Sequence, residues 1–320
     1  MKVFYSQSLS PYMNLAYENY LLEHLKSEKV LFLYRNLPSV IYGRFQNPWL
    51  ECNVSKMLKD QVLFVRRQSG GGCVYHDQGN LNFSFLSPKE IYDKDSNAIF
   101  IKEILQIDEL YISERHDLRL KIGNKDFKVS GSAFKEKKDR AIHHCTLLLS
   151  SDLDKLNYYL ISAIPEIESK SSKSVRSTVM NLGQKINHDQ IIEKINLISE
   201  VNFVSEEHMF KELKDDKFYK QMTSLEWIFD ETPLFTYKKD NFEIKIKKGL
   251  VQSFSLMGDI HPSMQSEIEA YLLNTPHIKD FYSFLETNHT FEFYQEHRES
   301  ILSELRNFMQ VYFFQVEIPS

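Results

Sequence analysis

Apolar positions recur along this chain in two rhythms, one helical and one alternating, and each change of rhythm marks an element. Over 10–26, Leu15, Leu22 and Leu25 share one helical face, with Glu18 and Glu23 read as nearer water. Ser10 can cap that helix, and Pro11 suits its first turn. Short β-like runs follow at 30–34, 40–43 and 62–65. Over 80–86, Leu81, Phe83 and Phe85 alternate with polar residues, the pattern of a half-buried strand. The spacing predicts a helix over 98–110. Leu118, Leu120 and Ile122 then alternate, Gly123-Asn124 turns the chain, and Phe127 and Val129 resume the pattern, as in a β-hairpin. The stretch 142–149 reads as another apolar strand, 166–177 as a polar surface loop, and 189–199 as a helix with Ile191, Ile195 and Ile198 on one stripe.

Pro233 closes an aromatic segment containing Trp227, Phe229 and Phe235. A second pattern begins beyond it. Phe242, Ile244 and Ile246 alternate, Gly249 turns the chain and 250–256 returns. Helical spacing is expected at 264–273, 279–286 and 296–309. A boundary near Lys238 follows, giving a larger domain at 1–238 and a smaller one at 239–320, with a hinge expected near 236–240.

Composition narrows the class. The chain has 320 residues with 23 Phe and 17 Tyr, ample apolar mass for a core and unlike a disordered chain. A net charge of −5 argues against a general nucleic-acid binder, yet leaves room for a nucleotide, which needs only a few local cations. Three cysteines, Cys52, Cys73 and Cys145, give no disulfide framework and suggest a reducing compartment. No secretory or mitochondrial leader is read at the N-terminus, and no window approaches the ~18 apolar residues of a membrane span. The expectation is a cytoplasmic protein.

Three stretches carry candidate chemistry. The first is Arg66-Arg67-Gln68-Ser69-Gly70-Gly71-Gly72-Cys73-Val74-Tyr75-His76-Asp77-Gln78-Gly79-Asn80. A bare glycine run is often only a turn. This one follows two arginines after one strand and precedes another, so main-chain N–H groups and arginine can converge on an anion. It matches neither the Walker loop nor the dinucleotide fingerprint. The second is Lys128-Val129-Ser130-Gly131-Ser132-Ala133-Phe134, where Lys128 either is solvated on an edge strand or serves a site that Gly131 lets approach closely. The third is Arg140-Ala141-Ile142-His143-His144-Cys145-Thr146-Leu147. Adjacent strand histidines point to opposite faces, and no zinc spacing is present. Cys145 is either a nucleophile or a core residue.

These stretches, together with Gly43-Arg44-Phe45-Gln46-Asn47-Pro48-Trp49-Leu50-Glu51-Cys52-Asn53 and Ser174-Val175-Arg176-Ser177-Thr178-Val179-Met180-Asn181-Leu182, resemble the lipoate–protein ligases, in the same order and from about Asn14 to Phe235. That family includes bacterial ligases and mitochondrial lipoyl amidotransferases. The resemblance implies an α/β (α+β) fold: a large biotin/lipoate-ligase-like domain with mixed β-sheets and flanking helices, then a small C-terminal α+β domain. It implies that Arg67 contacts ATP, with Ser69, Gly70 and Gly71 beside it. Gly72, Cys73, Val74 and Tyr75 would line the nucleotide and lipoyl pocket, and His76 and Asn80 complete the motif. Lys128 would touch both lipoate and the α-phosphate, and the loop with Ser174, Val175 and Arg176 would close over the adenylate. Mg2+ would carry phosphate charge, with Asp117 as its carboxylate.

The implied reaction makes lipoyl-AMP from lipoate and ATP, then passes the lipoyl group to a lysine. The acceptors implied are apo lipoyl domains of 2-oxoacid dehydrogenase E2 or the glycine-cleavage H protein, with no nucleic acid and no membrane involved. His116 and Cys145 stand where related ligases often carry Asn and Gly. The rival readings are an amidotransferase using preformed lipoyl-AMP, an octanoyltransferase working through a cysteine, a biotin ligase, and a non-catalytic lipoate-binding or regulatory protein on the same fold. The octanoyltransferase needs a cysteine near the lid, and 163–182 contains none.

Overall fold

A computed structural model describes residues 1–257 except 163, 165, 240 and 241, together with 265, 266, 269 and 273. The helix expected at 264–273 is described only at 265, 266, 269 and 273, all helical, and those expected at 279–286 and 296–309, with most of 239–320, lie outside the described residues. The fold is mixed α/β, as the resemblance implied. Its centre is a six-stranded mixed sheet in the order Ser132–Glu136, Arg140–Leu148, Asn80–Pro88, Val30–Tyr34, Lys2–Ser6, Val201–Val204. The Val30–Tyr34, Lys2–Ser6 and Val201–Val204 strands run parallel, and the other pairs are antiparallel. A three-stranded sheet, Leu63–Arg66, Ser39–Tyr42, Val74–His76, stands apart from it.

The central sheet is covered on both faces, which explains its runs of consecutive apolar residues. In Val30–Tyr34, the residues Val30, Phe32 and Tyr34 join the core shared with the N-terminal helix, while Leu31 and Leu33 join the core on the other face. Asn80–Pro88 was expected to be half-buried, but its first eight residues are all buried. Leu81, Phe83 and Phe85 pack on the second core. The polar alternates Asn82 and Ser84 face an internal cavity and a buried hydrogen-bond network instead of water.

The N-terminal helix spans Pro11–His24, with Ser10 as its cap and Pro11 in its first turn. Glu18, expected nearer water, is 2% exposed. The helix expected over 98–110 is Lys94–Leu105. Gln106 ends it in a left-handed conformation, φ 53°, and the chain continues as the strand Leu110–Ile112. No glycine marks that stop, so the spacing of Ile101, Ile104 and Leu105 runs on misleadingly to Leu110. The hairpin forms as expected from Leu118–Ile122 and Lys125–Lys128, with Gly123 at φ +57°. The helix His188–Ile198 buries Ile191 and Ile195 but leaves Ile198 exposed.

A four-stranded sheet runs Ile167–Ser169, Phe235–Lys239, Phe242–Lys247, Leu250–Leu256, all antiparallel. It crosses the expected division at 238/239. Tyr237 pairs with Ile244, and Phe235, Phe242, Ile244 and Phe254 share one core with Trp49 and Phe64. The hinge expected at 236–240 thus falls largely within a paired strand. Among the described residues, no helix is long and apolar enough to cross a membrane.

Candidate active site

Two adjoining cavities, of about 720 and 770 Å³ including their open mouths, contain most of the residues singled out by the motifs. The first takes its walls from both the six-stranded and the three-stranded sheet: Tyr34, Asn82, His144 and Thr146 on one, Ile41, Val74 and His76 on the other, with Leu15 from the N-terminal helix. The second is lined by Tyr75, Leu148, Leu156, Asn157, Leu160, Arg176 and Ser177. They share Cys73, Val74, Lys128, Gly131, Thr146 and Val175. Lys128 is the cation at that junction.

Strand alternation gives the two arginines opposite tasks. Arg66 is fully buried and staples the core. Its Nε donates to the carbonyls of Trp227 and Ile228, its Nη1 to those of Arg44 and Gln46, and its Nη2 to Thr232 Oγ1. Arg67 turns to the first cavity. Its Nη2 donates to the carbonyls of Gly70 and Gly72, both at 2.7 Å, and its Nη1 to that of Ile41. The guanidinium therefore shapes the glycine loop from inside. Burial brings its pKa down to about 10.

Steric demands inside the loop are uneven. Gly71 has φ +90°, and a Cβ there would lie 2.8 Å from Arg67 Nη2, so both conformation and space require glycine. A Cβ on Gly70 would meet nothing within 4 Å. On Gly72 it would press on Ser174, at 3.1 Å from Oγ. Ser174 is where the 170–182 loop closes onto the glycine loop. Its Oγ accepts from Cys73 N at 2.8 Å and from Gln46 Nε2 at 3.0 Å, and its own N–H reaches the Glu51 carboxylate.

Lys128 ends its hairpin strand and donates to Asp117 Oδ2 at 2.8 Å. Asp117 Oδ1 accepts from Ser132 N, so both oxygens of this buried carboxylate are engaged. Gly131 leaves room for the lysine, since a Cβ there would lie 3.3 Å from Lys128 Cε. The backbone of Lys128 pairs with the 170–182 loop: its N–H donates to Thr178 O, and its carbonyl accepts from Met180 N.

The role of His76 follows from a chain of amides. Asn14 Nδ2 donates to two carbonyls, which fixes that amide's orientation and makes Asn36 Oδ1 its third acceptor. Asn36 Nδ2 then donates to His76 Nδ1 at 2.9 Å, leaving the ring proton on Nε2. Burial, reinforced by the positive charge of Arg67, lowers His76 to about 3, so the ring is neutral. Its Nε2 has no partner among the described residues, and the side chain lines the first cavity. His76 is thus equipped to donate to a ligand. Asn80 lies behind the wall, bonded to Asn82.

Ser69, Gly70, Asn80, Asp117 and Ser174 line neither cavity, but each is bonded to a residue that does. The two histidines do point apart. His144 bonds Ser69, while His143 Nε2 lies 3.0 Å from Cys145 Sγ. Burial pushes the Cys145 thiol up to about 12, which keeps it protonated and makes it a poor nucleophile. Among the described residues no group of three or more His, Cys, Asp or Glu could hold a metal ion. The motifs missed Arg115 in the walls, as well as Glu18, whose spacing from Leu15 and Leu22 was a legible sign of burial.

Residues 10–198 match the family described as the lipoyl protein ligase A/B catalytic domain. A lipoate-protein ligase A of Bdellovibrio bacteriovorus is 39% identical over 293 residues, which span 84% of this chain and 86% of that one. Among solved structures, P. falciparum LipL1 in complex with lipoate superposes with a TM-score of 0.60 at 24% identity, covering 94% of this chain and 99% of that chain. A lipoate-protein ligase A bound with ATP gives 0.52 at 24% identity, covering 71% of this chain and 98% of that chain. At such identities the structures speak for the fold.

Proposed function

This chain belongs to the lipoyl protein ligase A/B catalytic-domain family, and from that membership we propose that it activates lipoate with ATP and joins the lipoyl group to a lysine of an acceptor protein. The observation that carries the reading is the meeting of two cavities at Lys128 under one lid loop. The first cavity, with Leu15, Ile41, Val74 and Ala133 in its walls, suits an acyl chain. The second, with Tyr75, Leu156, Leu160 and Arg176, suits an adenosine and its phosphates.

In this reading the lipoate carboxylate and the α-phosphate of ATP meet at Lys128, whose ammonium offsets the repulsion between them. A carboxylate oxygen attacks the α-phosphorus, the bond to the β-phosphate oxygen breaks, and pyrophosphate leaves. The product is lipoyl-AMP. An unprotonated acceptor lysine then attacks the acyl carbon, AMP leaves with the bonding electron pair, and the amine proton passes to solvent. Before substrate arrives, Asp117 holds Lys128 in place. Mg2+ would neutralise phosphate charge, and it usually takes only one or two protein carboxylates besides phosphate oxygens. Asp117 is the carboxylate we assign to it; both its oxygens already accept hydrogen bonds, from Lys128 and from Ser132 N, so the ion would use their remaining lone pairs. Arg67 organises the loop around the nucleotide, and the 170–182 lid keeps water from the anhydride. The acceptors we assign are lipoyl domains of dehydrogenase E2 subunits or the glycine-cleavage H protein.

Purified protein with ATP, Mg2+, lipoate and an apo lipoyl domain should add one lipoyl group to the domain, read by intact mass. A folded protein that releases no pyrophosphate and adds no mass would overturn the reading. Cys73→Ser and Cys145→Ser should each keep ligation within about tenfold, ~1.4 kcal/mol in barrier. Removing a true nucleophile costs on the order of 10⁶-fold. A loss of that size, with a thioester adduct in the unmodified protein, would establish a cysteine acyltransferase instead.

A further inference from the structure

Glu18 belongs to no motif and lines neither cavity, yet it is a carboxylate buried in the N-terminal helix. His144 Nδ1 lies 3.2 Å from both of its oxygens, and Tyr34 OH and Ser84 Oγ also donate to it. On the far edge of the imidazole, His144 Nε2 lies 2.5 Å from Ser69 Oγ, which in turn accepts from Arg67 Nε at 3.1 Å.

The direction of every bond in this chain is determined. Arginine can only donate, so Ser69 Oγ accepts from Arg67. Glu18, as a carboxylate, only accepts, so His144 Nδ1 carries the ring proton, and Nε2 of the neutral imidazole accepts the hydroxyl proton of Ser69. Arg67 forms no ion pair among the described residues, so Glu18 is its relayed counter-charge. The same guanidinium holds the carbonyls of Gly70 and Gly72, next to the junction residue Cys73.

We propose that Glu18 is a positioning residue for the activation step, acting through His144 and Ser69 to set Arg67 and the glycine loop around the nucleotide. This rests on the reading of the site as one that activates lipoate with ATP. Without an acceptor at position 18, His144 loses the partner that fixes its tautomer. Ser69 can then donate elsewhere, and Arg67 loses its end of the chain. The nucleotide half of the reaction is affected, because the loop that moves is the one Arg67 holds. Arg67, Gly71 and Gly72 also line the first cavity, so lipoate capture shares in the effect.

The test is a double-mutant cycle on lipoate-dependent ATP–pyrophosphate exchange, using Glu18→Leu, Ser69→Ala and the double variant, with thermal melts as folding controls. Each single variant should lower kcat/KM for ATP by about 10- to 100-fold, the range for a hydrogen bond to a charged group. The lipoate KM should rise as well, because Arg67 and Gly71 line the first cavity, and the double variant should be no worse than the worse single one. Glu18→Gln, which keeps an acceptor, should recover much of the loss. If Glu18→Leu does not fold, Glu18→Gln takes its place in the cycle, with a smaller loss but the same non-additivity. Losses that multiply in the double variant, or no recovery in Glu18→Gln, would overturn the relay. Absence of exchange in the unmodified protein would instead defeat the reading of the site itself.

Discussion

Lys128→Ala should slow lipoate-dependent pyrophosphate exchange by at least 10²- to 10³-fold, roughly the loss seen when one donor is removed from a site of developing negative charge. An ordinary charge-assisted hydrogen bond contributes about 1.5–3 kcal/mol. The upper value is the relevant floor here, because Lys128 stands where two cavities meet and is the cation common to both. Transfer from synthetic lipoyl-AMP should suffer less, since the two reactant anions are by then one molecule. The fold should survive. Asp117 loses one of its two donors but keeps Ser132 N. Exchange at near wild-type rate would remove Lys128 from the chemistry and leave it as the ion-pair partner of Asp117.

The second large effect should come from a residue outside the glycine run. A Cβ on Gly43 would lie 2.3 Å from Gly71 O, a backbone atom with little freedom because Arg67 grips the carbonyls on either side of it. Gly43→Ala must therefore displace the loop. It also disturbs the lid, because Gly43 N–H donates to Gln46 Oε1 and Gln46 Nε2 reaches Ser174. We expect the KM values for both lipoate and ATP to worsen on the order of 10²-fold, the scale of an ~1 Å misplacement. An accompanying loss of about 1–3 kcal/mol of stability is expected from overpacking. Gly70→Ala, made in open space, should be far milder in both assays. Equal effects of the two substitutions would show that contact with Gly71 is not what constrains position 43.

What could be read from the sequence was local. The alternation of Leu118, Leu120 and Phe127 around Gly123-Asn124 and the return at Phe242 to Leu256 depend on neighbours along the chain, and they formed as expected. The glycine run, Lys128 and the His143-His144 pair were legible as motifs. What escaped depends on distant partners. The polar alternates Asn82 and Ser84 look like a wet face, because nothing nearby in sequence announces a cavity and a buried carboxylate above them. Glu18 was assigned to water on charge alone, although its spacing put it on the stripe of Leu15 and Leu22. The near contact of Gly43 with Gly71, and the pairing of Ile167–Ser169 with Phe235–Lys239 that carries the core past the expected boundary, involve long sequence separations and have no local signature.

The backbone pairing of Lys128 with Thr178 and Met180 has a kinetic consequence. Swinging the 170–182 segment aside strips the main-chain partners from the residue assigned to neutralise the reacting anions. An open site is then wet but poorly competent, and a competent site is closed. On that assignment, the two hydrogen bonds that seat the strand also tie closure of the segment to the position of Lys128.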